Sequence, residues 1–327
     1  MSWKPFTLVD AGQTTQYMPG SGTRQLIRMM RRSGCDGLGW RKYLHITIFG
    51  SCLEGHGGMP GRTCRSPMSI SRNVAENLAE VRERIASAAR RAGRQPGEVA
   101  LMAVSKTHPA TAILEAMAAG QLLFGENRVQ EFAGKYEELK AAGMGDARFH
   151  LIGHLQSNKV ARAAELFDAI DSVDSLRLGE RLNEASIRLG HTRLGHIQLG
   201  QGAQSGRLEV LIEVNIGGEA GKSGIDPASD ELQAVLEAHS RWSALAIRGL
   251  MAVPPITPEP ESARPYFRRL RELRDHLRAR SGLQLPELSM GMSHDFEVAI
   301  EEGSTCVRIG TAIFGARPHP AAEERPG

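Results

Sequence analysis

The 327 residues carry 40 Lys and Arg against 37 Asp and Glu, a formal charge of +3, and so even a balance argues against nucleic acid or a membrane surface as the main partner. A composition of 41% hydrophobic and 24% charged residues matches a globular chain with a sizeable core and argues against wholesale disorder. Cys35, Cys52, Cys64 and Cys306 show neither CxxC nor Cys/His ligand spacing, which disfavours a zinc site or a disulfide scaffold. No run approaches the roughly 18 apolar residues of a membrane span, and the N-terminus lacks the pattern of a secretion signal. The expected location is the cytoplasm.

Residues 1–67 scatter Gly, Ser, Arg and His around one short apolar run, Leu44–Phe49, with no sustained helical or strand period. They are expected to be a disordered arm or an over-extended gene model rather than a folded extra domain. At Met68 the character changes, because Met-Ser-Ile-Ser-Arg-Asn leads into Val74, Leu78, Val81 and Ile85 at helical spacing.

From there short apolar runs alternate with amphipathic ones. Strands are predicted at Val99–Lys106, Leu122–Asn127, Phe149–His154, Ala169–Val173, Leu208–Ile216, Ala246–Val253, Leu288–Ser293 and Cys306–Thr311. Helices are predicted between them, at Ala110–Ala119, Val129–Ala141, Lys159–Leu166, Ser175–Leu189, Asp230–His239, Glu261–Arg280 and Phe296–Glu302. Eight strands with interposed helices predict an α/β fold, a single (β/α)8 TIM-type barrel over residues 68–317. A doubly wound sheet binding a dinucleotide would need a glycine fingerprint after its first strand, and Ser105–Pro109 is no such loop. Residues 195–207 form a Gly-rich excursion expected to be a flexible loop, and 318–327 a frayed tail.

In such a barrel the chemistry sits where strands end, so the polar residues closing each apolar run are the candidates. Lys106 follows an apolar strand, where desolvation favours the neutral, nucleophilic amine needed for imine formation; alternatively it snorkels to the rim. The loops after the last two strands suit a phosphate, with Ser293, Gly310 and Thr311 as its holders, although Ser293 can equally cap the helix beginning near Asp295. Strand alternation puts Arg308 on the same side as Gly310. There its guanidinium needs an acceptor, either a heteroaromatic nitrogen or phosphate, or else a salt bridge to Glu213 or Asp171. Asn127 and His154 are further mouth candidates that can serve instead as caps. Met251 is counted as a candidate wall of the ligand site, a position where Met is more often core.

Two patterns carry nothing. Gly217–Ser223 lacks the glycine spacing of a phosphate loop, and His191 and His196 stand five apart with no HExxH.

Six segments in order carry a family resemblance: Ala103–Thr107 (Ala-Val-Ser-Lys-Thr), Phe124–Glu131 (Phe-Gly-Glu-Asn-Arg-Val-Gln-Glu), His150–Lys159, Gly249–Ala252, Ser289–Asp295 (Ser-Met-Gly-Met-Ser-His-Asp) and Val307–Gly315. From Val74 to Arg317 the chain resembles the pyridoxal phosphate homeostasis proteins, single-barrel relatives of bacterial alanine racemase. The resemblance implies a pyridoxal 5′-phosphate imine on Lys106, phosphate contacts from Ser293, Gly310 and Thr311, and Arg308 at the pyridine nitrogen. It also implies storage, delivery or buffering of the cofactor without established turnover, with cofactor-dependent apoenzymes as partners and a monomeric state. The alternative is an amino-acid racemase of the alanine racemase type. That chemistry needs a second base, usually a tyrosine, and Tyr17, Tyr43, Tyr136 and Tyr266 close none of the predicted strands.

Overall fold

A computed structural model of the chain describes residues 6–10, 13–17, 73–190, 206–219 and 221–315. Two units divide at Met68 and Ser69. In the first, strands β1 (Phe6–Asp10) and β2 (Gln13–Tyr17) pair antiparallel, Phe6 opposite Tyr17. The sequence gives no strand period there, and this short ladder is an addition to that reading. The predicted excursion at 195–207 and the tail from 318 lie outside the described residues, apart from Gly206 and Arg207.

The second unit opens with α1 (Val74–Arg91), whose Leu78, Val81, Ile85, Ala88 and Ala89 are buried at helical spacing. Asn73 starts it, its side-chain oxygen accepting the Glu76 N–H at 2.8 Å. The chain then alternates β3 (Ala100–Val104), α2 (Ala110–Ala118), β4 (Leu123–Glu126), α3 (Val129–Ala141), β5 (Arg148–Leu151), α4 (Val160–Leu166), β6 (Ala169–Val173) and α5 (Leu176–Leu189). It continues through β7 (Leu208–Glu213), α6 (Asp230–Ala238), β8 (Leu245–Met251), α7 (Arg264–Ser281), β9 (Glu287–Ser289), α8 (Phe296–Glu301), β10 (Cys306–Ile309) and α9 (Thr311–Phe314). Strands β3 to β10 are parallel to their neighbours, and β10 returns to β3, with Cys306 opposite Ala100, to close the predicted eight-stranded barrel. Among the described residues no helix is long and apolar enough to cross a membrane.

Most strands stop earlier than the apolar runs predict. The first ends at Val104 rather than Lys106, the fifth at Glu213 rather than Ile216, and the seventh at Ser289 rather than Ser293. The reason is burial that continues past the strand ends. Ile216 and Met290 lie 3% and 0% exposed beyond the last strand residues, so an apolar residue there prolongs the pattern but not the strand.

Strand alternation sorts the side chains into two layers. Phe124 of β4 and Phe149 of β5 face the helices, with Phe149 4.7 Å from Phe132 of α3 and Phe132 4.8 Å from Phe167. Each such ring withdrawn from water stabilises the fold by about 2 kcal/mol. Their neighbours point the other way, and so His150 and Asp171 meet inside the barrel, Nδ1 to Oδ1 at 3.1 Å. Toward the strands' N-terminal ends, Arg148 pairs with Glu209 at 2.7 Å and Arg248 with both Glu209 and Glu287 at 3.4 Å. At that end of a barrel such charges serve stability, which leaves the opposite mouth for function.

Candidate functional site

The C-terminal ends of the strands gather the predicted residues. After β3, Ser105 to His108 form a turn closed by the His108 N–H on the Ser105 carbonyl at 3.1 Å, and Lys106, half-buried, is its second residue. After β4 comes Asn127, whose Oδ1 is buried with no hydrogen-bond partner in the structure. Gly153, in the loop after β5, presses on that residue: a Cβ there would stand 2.3 Å from the Asn127 carbonyl oxygen. Met251 ends β8 and is fully buried, as the core reading of a methionine requires. His154 is exposed on the rim and tied to Asp174, Nδ1 to Oδ2 at 2.9 Å.

Arg308, on β10, is 4% exposed. Its Nη1 donates to the Ser289 hydroxyl at 2.7 Å and its Nη2 to the Ala252 carbonyl at 2.8 Å. The alternative of a salt bridge to Glu213 or Asp171 is not realised; a hydroxyl and a carbonyl hold the fork, and the two carboxylates act on it only through their charge. Burial lowers the guanidinium pKa from its ordinary value, opposed by Cys306, Asp171, Glu213 and Asp295. It still carries its charge. Beside it Glu213 closes β7. Burial and then the Asp174 carboxylate push this acid up to about 7, against the pull of Arg308 and His154, and its Oε2 is buried without a partner.

The phosphate candidates sit at the same mouth. Gly310 precedes α9, and a Cβ on it would come 3.1 Å from the Val104 carbonyl, a close approach between the ends of β10 and β3. Thr311 opens that helix, where the first N–H groups lie outside the helical ladder. Ser293 lies in the loop after β9. It does not cap α8: Asp295 holds the cap position, and its Oδ1 accepts the Met292 N–H at 2.7 Å. The capping alternative for Ser293 is thereby set aside.

Residues that the sequence reading did not use surround Lys106. Lys135 of α3 donates to the Ser105 carbonyl at 3.1 Å and to Glu126 and Glu131 at 2.9 Å each. The Ser105 hydroxyl donates to Glu126 at 2.8 Å, and the Thr107 N–H donates to Glu131. The Glu131–Lys135 spacing of four is a visible signal, but on a helix it indicates only a surface ion pair.

The donor set suits a phosphorylated aldehyde with a ring hydroxyl and a ring nitrogen. It offers a primary amine, a buried amide oxygen lacking a donor, a fixed cation, and a glycine-lined helix start. Among the described residues no group of three His, Cys, Asp or Glu can hold a metal ion.

Residues 77–318 match the family described as alanine racemase, N-terminal domain. The chain is 43% identical over 247 residues to the pyridoxal phosphate homeostasis protein of Aquifex aeolicus, covering 76% of this chain and 100% of that one. It is 45% identical over 252 residues to the protein of the same name in Escherichia coli K12, covering 76% and 98%. The structure of PipY from Synechococcus elongatus PCC7942, with pyridoxal phosphate bound, superposes with a TM-score of 0.62 at 39% identity over 74% of this chain and 100% of that one. Alanine racemase from Clostridium difficile 630, at 13% identity and a TM-score of 0.55, shares the fold.

Proposed function

This chain belongs to the pyridoxal phosphate homeostasis proteins, and from that premise we propose that it binds pyridoxal 5′-phosphate at the barrel mouth, anchors it on Lys106, and stores, delivers or buffers it. The observation that carries the reading is the position of Lys106 in the turn after β3, at the mouth that also holds Asn127, Arg308, Gly310 and Thr311. An aldehyde condenses reversibly with a primary amine and releases water; Lys106 supplies that amine. Ser293, Gly310 and Thr311 take the phosphate, Asn127 Oδ1 accepts from the ring hydroxyl, and Met251 supports the mouth from the core beneath it.

Arg308 faces the ring nitrogen in this reading. A donor that keeps its proton requires an acceptor opposite it, so the nitrogen stays unprotonated and the ring is a weak electron sink. That disfavours racemisation. Among the described residues of the barrel, the tyrosines Tyr136 and Tyr266 lie on the outer helices α3 and α7, and neither is placed as a second base. The expected state is a monomeric, non-catalytic carrier in the cytoplasm, with residues 68–317 as the binding barrel and cofactor-dependent apoenzymes as recipients.

The full chain, loaded with the cofactor, separates the two readings. Mixed with a cofactor-free aminotransferase it restores that enzyme's activity, and in deuterium oxide it introduces no α-deuterium into free amino acids above background. Rapid α-deuterium incorporation that is lost in Lys106→Ala would make it a racemase instead.

A further inference from the structure

The turn that carries Lys106 is held in an unfavourable backbone conformation by a three-residue charged cluster. Thr107 has φ +65°. In the turn from Ser105 to His108 it occupies the third position, where a positive φ normally calls for glycine, and a β-branched residue there is strained. Such strain persists only where the surroundings over-determine it.

Here they do so from both sides of Lys106. Glu131 accepts the Thr107 N–H on one side. On the other, Lys135 donates to the Ser105 carbonyl at 3.1 Å, while Glu126 accepts from the Ser105 hydroxyl at 2.8 Å. Lys135 joins the two carboxylates at 2.9 Å each, with its own side chain 11% exposed and that of Glu126 fully buried. Removing Lys135 would leave the buried Glu126 carboxylate without its cation, and removing Glu131 would leave the Thr107 N–H without its acceptor. So costly an arrangement sits against the one turn whose exact shape decides where the Lys106 amine stands.

We propose that Lys135, with Glu126 and Glu131, is a positioning device for Lys106: it keeps Thr107 left-handed and so presents the amine to the cofactor's aldehyde. This rests on Lys106 being the cofactor's anchor. In the step it serves, the neutral amine attacks the aldehyde carbon, a C=N bond replaces C=O, and the oxygen leaves as water, with no oxidant or reductant required. The device acts on the rate and extent of that condensation and not on the phosphate contacts, which lie on the loops after β9 and β10.

The test compares the full-length chain with Lys135→Met, Glu131→Gln, Glu131→Ala, Thr107→Gly and the Thr107→Gly/Glu131→Ala double variant. Imine formation is followed by absorbance near about 420 nm, and attachment by borohydride reduction and peptide mass. Binding without chemistry is read with pyridoxamine 5′-phosphate, which has no aldehyde. The expected result is condensation slowed about tenfold or more in Lys135→Met and Glu131→Ala, with pyridoxamine 5′-phosphate affinity within about twofold of the parent, a much smaller effect than misplacing the amine. Glu131→Gln, which keeps an acceptor for the Thr107 N–H, is slowed less. Glycine adopts a positive φ without cost, so the double variant recovers a large part of the lost rate.

Parent-like condensation in folded Lys135→Met and Glu131→Ala overturns the proposal, as does an equal loss of pyridoxamine 5′-phosphate binding. If Lys135→Met does not fold, the Glu131→Ala pair decides: rescue by Thr107→Gly supports the device and absence of rescue overturns it. If the parent itself carries no adduct on Lys106, the anchor reading fails, and the positioning proposal falls with it for that separate reason.

Discussion

The Arg308 guanidinium donates to the Ser289 hydroxyl at 2.7 Å across the seam between β10 and β9, where Cys306 pairs with Ser289. This contact fixes a buried cation at the barrel mouth without neutralising it. Ser289→Ala removes one of two acceptors from a group that is 4% exposed. The loss is expected to lower unfolding free energy by about 1–3 kcal/mol, the cost of leaving a buried donor unpaired. Urea unfolding of the cofactor-free protein measures it, and an unchanged midpoint would mean that another acceptor takes over.

Glu213 makes stability depend on pH. Its carboxyl is raised from 4.5 to about 7 in the folded chain, so between these values the folded state binds more protons than the unfolded one. The stabilisation is present in full below about 4.5 and is lost as pH rises through about 7. The fall is on the order of 3 kcal/mol at most. Glu213→Gln is expected to flatten that slope in urea melts at a series of pH values. His150 adds a slope of the same sign: burial lowers its pKa, but Asp171 outweighs this and holds it above 6.5, so its contribution also fades as pH rises through that raised value. The variant therefore flattens the profile in part.

Gly249 marks a close approach between neighbouring strands. A Cβ at this position in β8 would stand 1.9 Å from the Glu287 carbonyl oxygen of β9. Gly249→Ala must push these strands apart, at a cost of about 1–3 kcal/mol. A thermal unfolding midpoint equal to that of the parent would contradict the packing described.

The barrel was legible because each strand leaves a short apolar run and each helix a longer amphipathic one. The strand ends were less so, since Met290 and Ile216 are buried in loops and look like further strand. The mouth residues followed from the rule that polar groups closing apolar runs face the site, and the structure brings Lys106, Asn127, Arg308, Gly310 and Thr311 to one end of the barrel. What escaped was the support around them. Glu131 and Lys135 have the spacing of an exposed helical pair, and nothing in a linear pattern tells that Lys135 is half-buried against the turn at Ser105. The partners of Arg308 escaped for a similar reason, because the sequence offers carboxylates while the fold supplies a hydroxyl and a carbonyl.

The proposed role of Lys106 as covalent anchor has a direct test. The full-length chain is incubated with pyridoxal 5′-phosphate, reduced with borohydride, digested and mapped by mass. One phosphopyridoxyl group is expected on the peptide containing Lys106, with loss of the absorption band near about 420 nm on reduction. An adduct on another lysine, or none at saturating cofactor, would contradict it.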